Sequence, residues 1–157
     1  MGEKVRVVLP GRPRGKEAPV VTRTGTFIPK KSREEMEALR MIARLAMAGR
    51  PQFEGPVHLR IACYFPIPKS FTKKQREEIE AGRLFPTVPP DGSNIQKGVE
   101  DALQPARPPR RLAHIKPILP VIIRNDSQIV RWEGWKLYSS DPRVVVEIEE
   151  IETNAEA

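Results

Sequence analysis

The stretch PPDGSNIQKGVEDALQ, residues 89–104, carries Asp91, Asn94, Lys97 and Asp101, and a further carboxylate, Asp126, follows in IRNDSQIV. Carboxylates that converge suit Mg²⁺, a hard cation that takes oxygen ligands and keeps several waters. Such an ion polarises a phosphoryl oxygen, activates a water and orients a leaving group. A nearby lysine, Lys97, would neutralise the charge that builds on a scissile phosphate. The same residues also fit a plainer account. Ser93 and Gln96 form a capping box, so a helix is expected to begin just after Ser93. At about 100° per residue, Asn94, Lys97 and Asp101 then share one stripe, opposite Ile95, Val99, Ala102 and Leu103. A polar stripe is what any solvated helix face shows, and Asp91 beside the positive end of the helix dipole needs no catalysis to explain it. Asp126, at the entrance to a strand, is an ordinary turn residue. Spacing alone leaves both readings open.

Other chemistries find little support. His58 lies in a strand pattern and His114 in a Pro-rich segment, without zinc spacing. The single cysteine, Cys63, falls in the apolar run LRIACYF and is expected to be a buried thiol without a disulfide partner. There is no Walker-type loop, no GxGxxG and no serine in a nucleophile elbow. Lys and Arg exceed Asp and Glu by 27 to 20, a formal charge of +7 that favours polyanions, nucleic acid before anionic membrane. Three basic clusters supply candidate phosphate contacts: Arg12, Arg14 and Lys16; Lys30, Lys31 and Arg33; and Arg107, Arg110 and Arg111. No apolar run approaches the ~18 residues of a transmembrane helix and the start of the chain lacks a signal-peptide core, so a soluble, cytoplasmic protein is expected.

The elements that must position these residues can be read in order. KVRVVLP reads as an opening strand, and VVTRTGTFIP as a hairpin around Thr24-Gly25. KSREEMEALRMIARLAMAGR reads as a helix boxed by Ser32 and Glu35, with Met36, Leu39, Ala43 and Ala46 on its apolar face and Gly49 at its end. PVHLRIACYFPIP is a strand, and FTKKQREEIEAGRLF a short helix boxed by Thr72 and Gln75 and stopped near Gly82. The helix that begins just after Ser93 follows. Residues 104–120 form a Pro/Arg-rich loop, residues from about 152 a polar tail, and SQIVRWEGWKLYS and RVVVEIEEI are two strands joined at SSDP. At 157 residues this is one expected domain, a mixed α/β fold with a single small mixed sheet covered by helices.

Four segments in this order, PKKSREEMEAL, YFPIPKSFTKKQREEIEAGR, PPDGSNIQKGVEDAL and NDSQIVRWEGWKLYSSDPRVVVEIEE, resemble the RusA-type Holliday junction endodeoxyribonucleases, most strongly the phage-type members. The resemblance runs from roughly Val5 to Glu150. Its most specific element is an Asp-x-Asp-Asn-x-x-Lys run leading to Asp-Ala-Leu, with a later Asp-Asp-x-Gln. It implies a RusA-like fold and a homodimer that uses Mg²⁺ or Mn²⁺ to nick four-way DNA junctions symmetrically. By position, Asp91 matches the first aspartate, Asn94 the asparagine, Lys97 the catalytic lysine, Asp101 the aspartate before Ala-Leu, and Asp126 the second of the later pair. The resemblance thus implies Asp91 and Asp126 as principal metal ligands and Asp101 as a third. Ser93 and Asn125 stand where the pattern has aspartates, and the 104–120 segment replaces a short connection. Two alternatives stay beside this reading: a junction-binding protein of the same fold whose metal site has weakened, and a basic RNA-binding domain.

Overall fold

The computed structural model describes residues 2–16, 20–27, 30–106 and 121–152. The elements follow the expected order: β1 (Lys4–Pro10), the hairpin β2 (Val20–Thr22) and β3 (Gly25–Phe27), α1 (Lys30–Met47), β4 (Val57–Pro66), α2 (Lys73–Glu80), α3 (Gly92–Leu103), a 3-10 turn (Asp126–Gln128), β5 (Ile129–Ser139) and β6 (Arg143–Glu150). Four strands form one mixed sheet in the order β1-β6-β4-β5, with β4 and β5 parallel and the other pairs antiparallel. The fold is therefore mixed α/β, as the strand and helix patterns indicate.

The most apolar strand lies inside the sheet. β4 carries Val57, Leu59, Ile61, Cys63 and Phe65 on its buried side, which is the period of two that one covered face imposes. It separates β5 from β6, so these two strands, joined directly at SSDP, do not pair with each other. Leu39, Ala43 and Met47 of α1 and Ile95, Val99 and Leu103 of α3 close the core over Val5, Val7, Val146 and Ile148. Residues Val121–Ile123 also enter this core, a contribution that the prolines just before them conceal in the sequence.

The opposite face of the sheet is charged. Glu133 on β5 accepts from Arg60 Nε on β4 at 2.8 Å, Arg60 lies 4.0 Å from Glu147 on β6, and Glu147 meets Lys4 on β1 at 2.9 Å. Hydrogen bonding from Lys4 holds the Glu147 carboxyl below its ordinary pKa. His58, on the same strand as Arg60, is buried with Nε2 unpartnered, 4.0 Å from Glu133.

Three capping expectations meet different outcomes. Thr72 and Gln75 form the reciprocal box expected for α2. Ser32 is not a cap, because α1 already runs from Lys30 and places it in the first turn. Ser93 is not a cap either: Asp91 is, and its carbonyl accepts from the backbone of Asn94 and Ile95, both at 3.1 Å. The extended backbone of Asp91, following Pro90, starts the helix two residues earlier than Ser93 would. α1 ends at Met47, one residue before the expected stop: Ala48 already takes φ 51°, and Gly49 follows at φ 78°, a conformation that glycine adopts without a Cβ penalty.

Candidate active site

The polar stripe of α3 is partly covered by a chain segment. Residues 14–16 run along the helix, where Lys16 N donates to the Asn94 carbonyl at 3.2 Å and Lys16 Nζ pairs with Asp101 Oδ2. Gly15 permits the approach: a Cβ there would sit 3.0 Å from Asn94 Cβ and 3.1 Å from Pro90 Cβ. Asn94 and Asp101 of the stripe are thus tied to one lysine. Lys97 is exposed beside them.

The C-terminal turn of α3 meets the start of β5. The backbone of Ile122 and Ile123 donates to the Leu103 carbonyl at 3.0 and 3.1 Å, satisfying a helix-end acceptor and fixing the chain that leads to Asp126. Asn125 caps the 3-10 turn: its side chain accepts from Ser127 N at 2.9 Å, and Gln128 returns a bond to the Asn125 backbone. Asn125 therefore has a structural task of its own. Asp126 N donates to Gln104 Oε1 at 3.2 Å, across the gap to the end of α3.

These contacts line one cleft of about 710 Å³ that holds Asp101, Asp126, Asn125, Gln104, Lys16, Arg33, Glu37 and Arg40. Arg40 has no counterpart among the residues singled out from the sequence. It is buried on α1, donating to Glu37 Oε1 at 2.8 Å and to the Asp101 carbonyl at 3.0 Å, with Nε unpartnered. An arginine at i+1 from Leu39 on an apolar helix face was the available signal.

The structure brings Asp101 and Asp126 into this cleft and leaves Asp91 elsewhere. Asp91 stands at the first turn of α3 and Asp101 on its last, ten residues and so about 15 Å apart along the axis. Among the described residues, no three His, Cys, Asp or Glu side chains stand together as a metal site. Two carboxylates with amide oxygens nearby are donors of the hard kind that Mg²⁺ takes. Of the basic clusters, Arg12, Lys30, Lys31 and Arg33 are exposed. Arg14 pairs with Glu35 at 2.7 Å and Lys30 lies 3.8 Å from Glu34. Arg107, Arg110 and Arg111, like most of the 104–120 loop, lie outside the described residues.

Residues 10–107 match the family Endodeoxyribonuclease RusA. This chain belongs to the RusA family. A relative of unassigned function, YqaN of Bacillus subtilis (strain 168), is 35% identical over 148 residues, covering 92% of this chain and 90% of its own length. The RusA match spans α1, β4, α2 and α3 and so includes Asp91, Lys97 and Asp101. Asp126, the other carboxylate of the cleft, lies beyond its end. Membership places the chain among endodeoxyribonucleases, and no helix among the described residues is long and apolar enough to cross a membrane.

Proposed function

We propose that this RusA-family chain is a single-domain, metal-dependent endonuclease that resolves four-way DNA junctions as a homodimer by paired, symmetric nicks. The observation that carries the reading is the cleft in which Asp101 and Asp126 stand beside Lys16 and Arg40. Acidic ligands and cations in one concavity suit a phosphodiester held against a divalent ion.

In this reading Asp126 and Asp101 hold Mg²⁺, with Mn²⁺ as a substitute, and Asp91 is contributed by the partner subunit. An ion with ligands at about 2.1 Å cannot touch both ends of one helix, so the third carboxylate comes from a second copy. A two-fold pair also supplies the two matched cuts that a four-way junction requires. The ion would activate water and polarise the phosphate. Lys16 keeps the Asp101 carboxylate oriented, and Gln104 does the same for the backbone of Asp126. Lys97 neutralises charge that develops on the phosphate. Arg12, Lys30, Lys31 and Arg33, with Arg107, Arg110 and Arg111, contact phosphates outside the cleft. Such an enzyme acts inside the cell.

A labelled four-way junction, titrated with Mg²⁺ and with Mn²⁺, tests the proposal. Paired nicks at opposed strands that vanish with Asp126→Asn are expected. Tight junction binding with no cleavage in either metal would instead make the chain a junction-binding member of the fold, and equal affinity for RNA duplex would remove both.

A further inference from the structure

β5 closes the sheet on one side, and its outer edge pairs with nothing among the described residues. Among the described strands it exposes the most large apolar side chains: Val130 is 56% exposed, Trp132 61% and Trp135 62%. Residues three apart on a strand point to opposite faces, so indoles stand on both sides of the open edge. A long edge strand with exposed aromatic residues is a template for adding another strand, and folded proteins ordinarily blunt such an edge. Here it is left available.

The sequence of the strand fits itself. Set antiparallel to a second β5 about a two-fold axis at Trp132, the strand places Arg131 opposite the partner's Glu133, and Glu133 opposite the partner's Arg131. Arg131 makes no ion pair among the described residues, while Glu133 receives Arg60 and faces His58 through Oε1, leaving Oε2 for a second guanidinium. The same register lays Val130 against the partner's Gly134 and Ile129 against the partner's Trp135. The Trp132 side chains meet at the axis, each diagonal to a glycine that leaves room for an indole. It also brings Lys136, one step beyond the Ile129–Trp135 pair, toward the partner's 3-10 turn. Lys136 donates to the Val88 carbonyl at 2.7 Å and borders the same hollow as Gly92, so the Asp91 end of α3 travels with it toward the partner's Asp126. Neighbouring registers put like charges or mismatched side chains together.

We infer that the outer edge of β5 is the dimer interface, two copies joining antiparallel about Trp132 to make one continuous sheet. The inference deepens the proposed dimeric nuclease, and it is tested without DNA or metal so that each can fail alone. A dimer that does not nick overturns the nuclease, and a nicking monomer overturns the interface. Trp132→Cys should cross-link to a covalent dimer under mild oxidation, since Cα atoms directly opposite across antiparallel strands suit a disulfide. Cys63 is buried and contributes no background. Arg131→Cys and Glu133→Cys should each cross-link far less alone and readily when mixed. As a second measurement, sedimentation should show a wild-type dimer and at least a tenfold weaker association for Arg131→Glu. Equal cross-linking at all three positions, a wild-type monomer, or tryptophan quenching by junction DNA on a monomer would overturn the interface, the last assigning the indoles to nucleic acid.

Discussion

Replacing Arg40 should reveal how firmly the C-terminal turn of α3 is held. Its guanidinium is buried beneath that turn and gives a 3.0 Å hydrogen bond to the Asp101 carbonyl, an acceptor too near the helix end to have an intrahelical donor. In Arg40→Ala the two stem methylenes beyond Cβ lose burial at ~0.8 kcal/mol each, about 1.6 kcal/mol in all. The carbonyl left without its charged donor adds roughly 2 kcal/mol. Against this, a buried Nε without a partner is removed, recovering about 1 kcal/mol. The net is a loss of about 2.6 kcal/mol, or about 8 °C in Tm at this chain length. Arg40→Met keeps the stem and should cost only about 1 kcal/mol. Urea unfolding of the three proteins at matched pH separates the two contributions. A loss below about 1 kcal/mol for Arg40→Ala, or equal losses for both variants, would refute the assignment of Arg40 as the support of Asp101.

Other perturbations test the site and the sheet. Lys97→Ala should abolish nicking while junction affinity changes less than threefold, because Lys97 is one of many cations near the backbone; parallel losses of binding and cleavage, read by gel shift and single-turnover nicking, would make it an ordinary phosphate contact. Ser93→Asp places a carboxylate in the first turn of α3 and should raise stability by about 0.5 kcal/mol through the helix dipole. It should also lower the metal concentration for half-maximal nicking, whereas an unchanged midpoint in the titration would turn position 93 away from the metal. Burial first, then Arg60 and Arg131, lower the pKa of His58, with Glu133 and Glu149 opposing. The unfolded chain therefore takes this proton first, so stability should be full above about pH 6.5 and fall as pH drops from there toward the lower folded pKa. Denaturation of wild type and His58→Gln across that range should show the slope in the first and lose it in the second. Burial also pushes the Cys63 thiol up to about 11, so native protein should resist alkylation at pH 8 until denaturant is added.

The element order was legible because each element announced itself locally. Alternation marks β4, the Thr72–Gln75 pair marks α2, and Ile95, Val99, Ala102 and Leu103 mark the inner face of α3. Caps were less legible: a Ser-x-x-Glu or Ser-x-x-Gln pattern describes a first turn as well as a boundary, and upstream backbone decides which it is. Asp91 won over Ser93 in this way. The pairing of β4 between β5 and β6 could not be read from the turn that joins the outer two. For the candidate site, residue types pointed to a helix whose last turn does border the cleft, yet sequence spacing treats one helix as one place. Asp91 and Asp101 are neighbours in a motif and opposite ends of a rod. The Lys16–Asp101 pair and the Arg40 support depend on contacts 85 and 61 residues apart, and no local pattern encodes those.

The charged face of the sheet has a consequence for how the protein meets a polyanion. Along Glu133, Arg60, Glu147 and Lys4 the signs alternate from strand to strand, so from a distance that side is nearly mute. On the helical side, Lys30, Lys31 and Arg33 of α1 are exposed, and Arg33 borders the cleft that holds Asp101 and Asp126. A polyanion drifting within a Debye length would meet balanced pairs on the one face and exposed cations on the other, and so would be turned by a torque as well as drawn by an attraction.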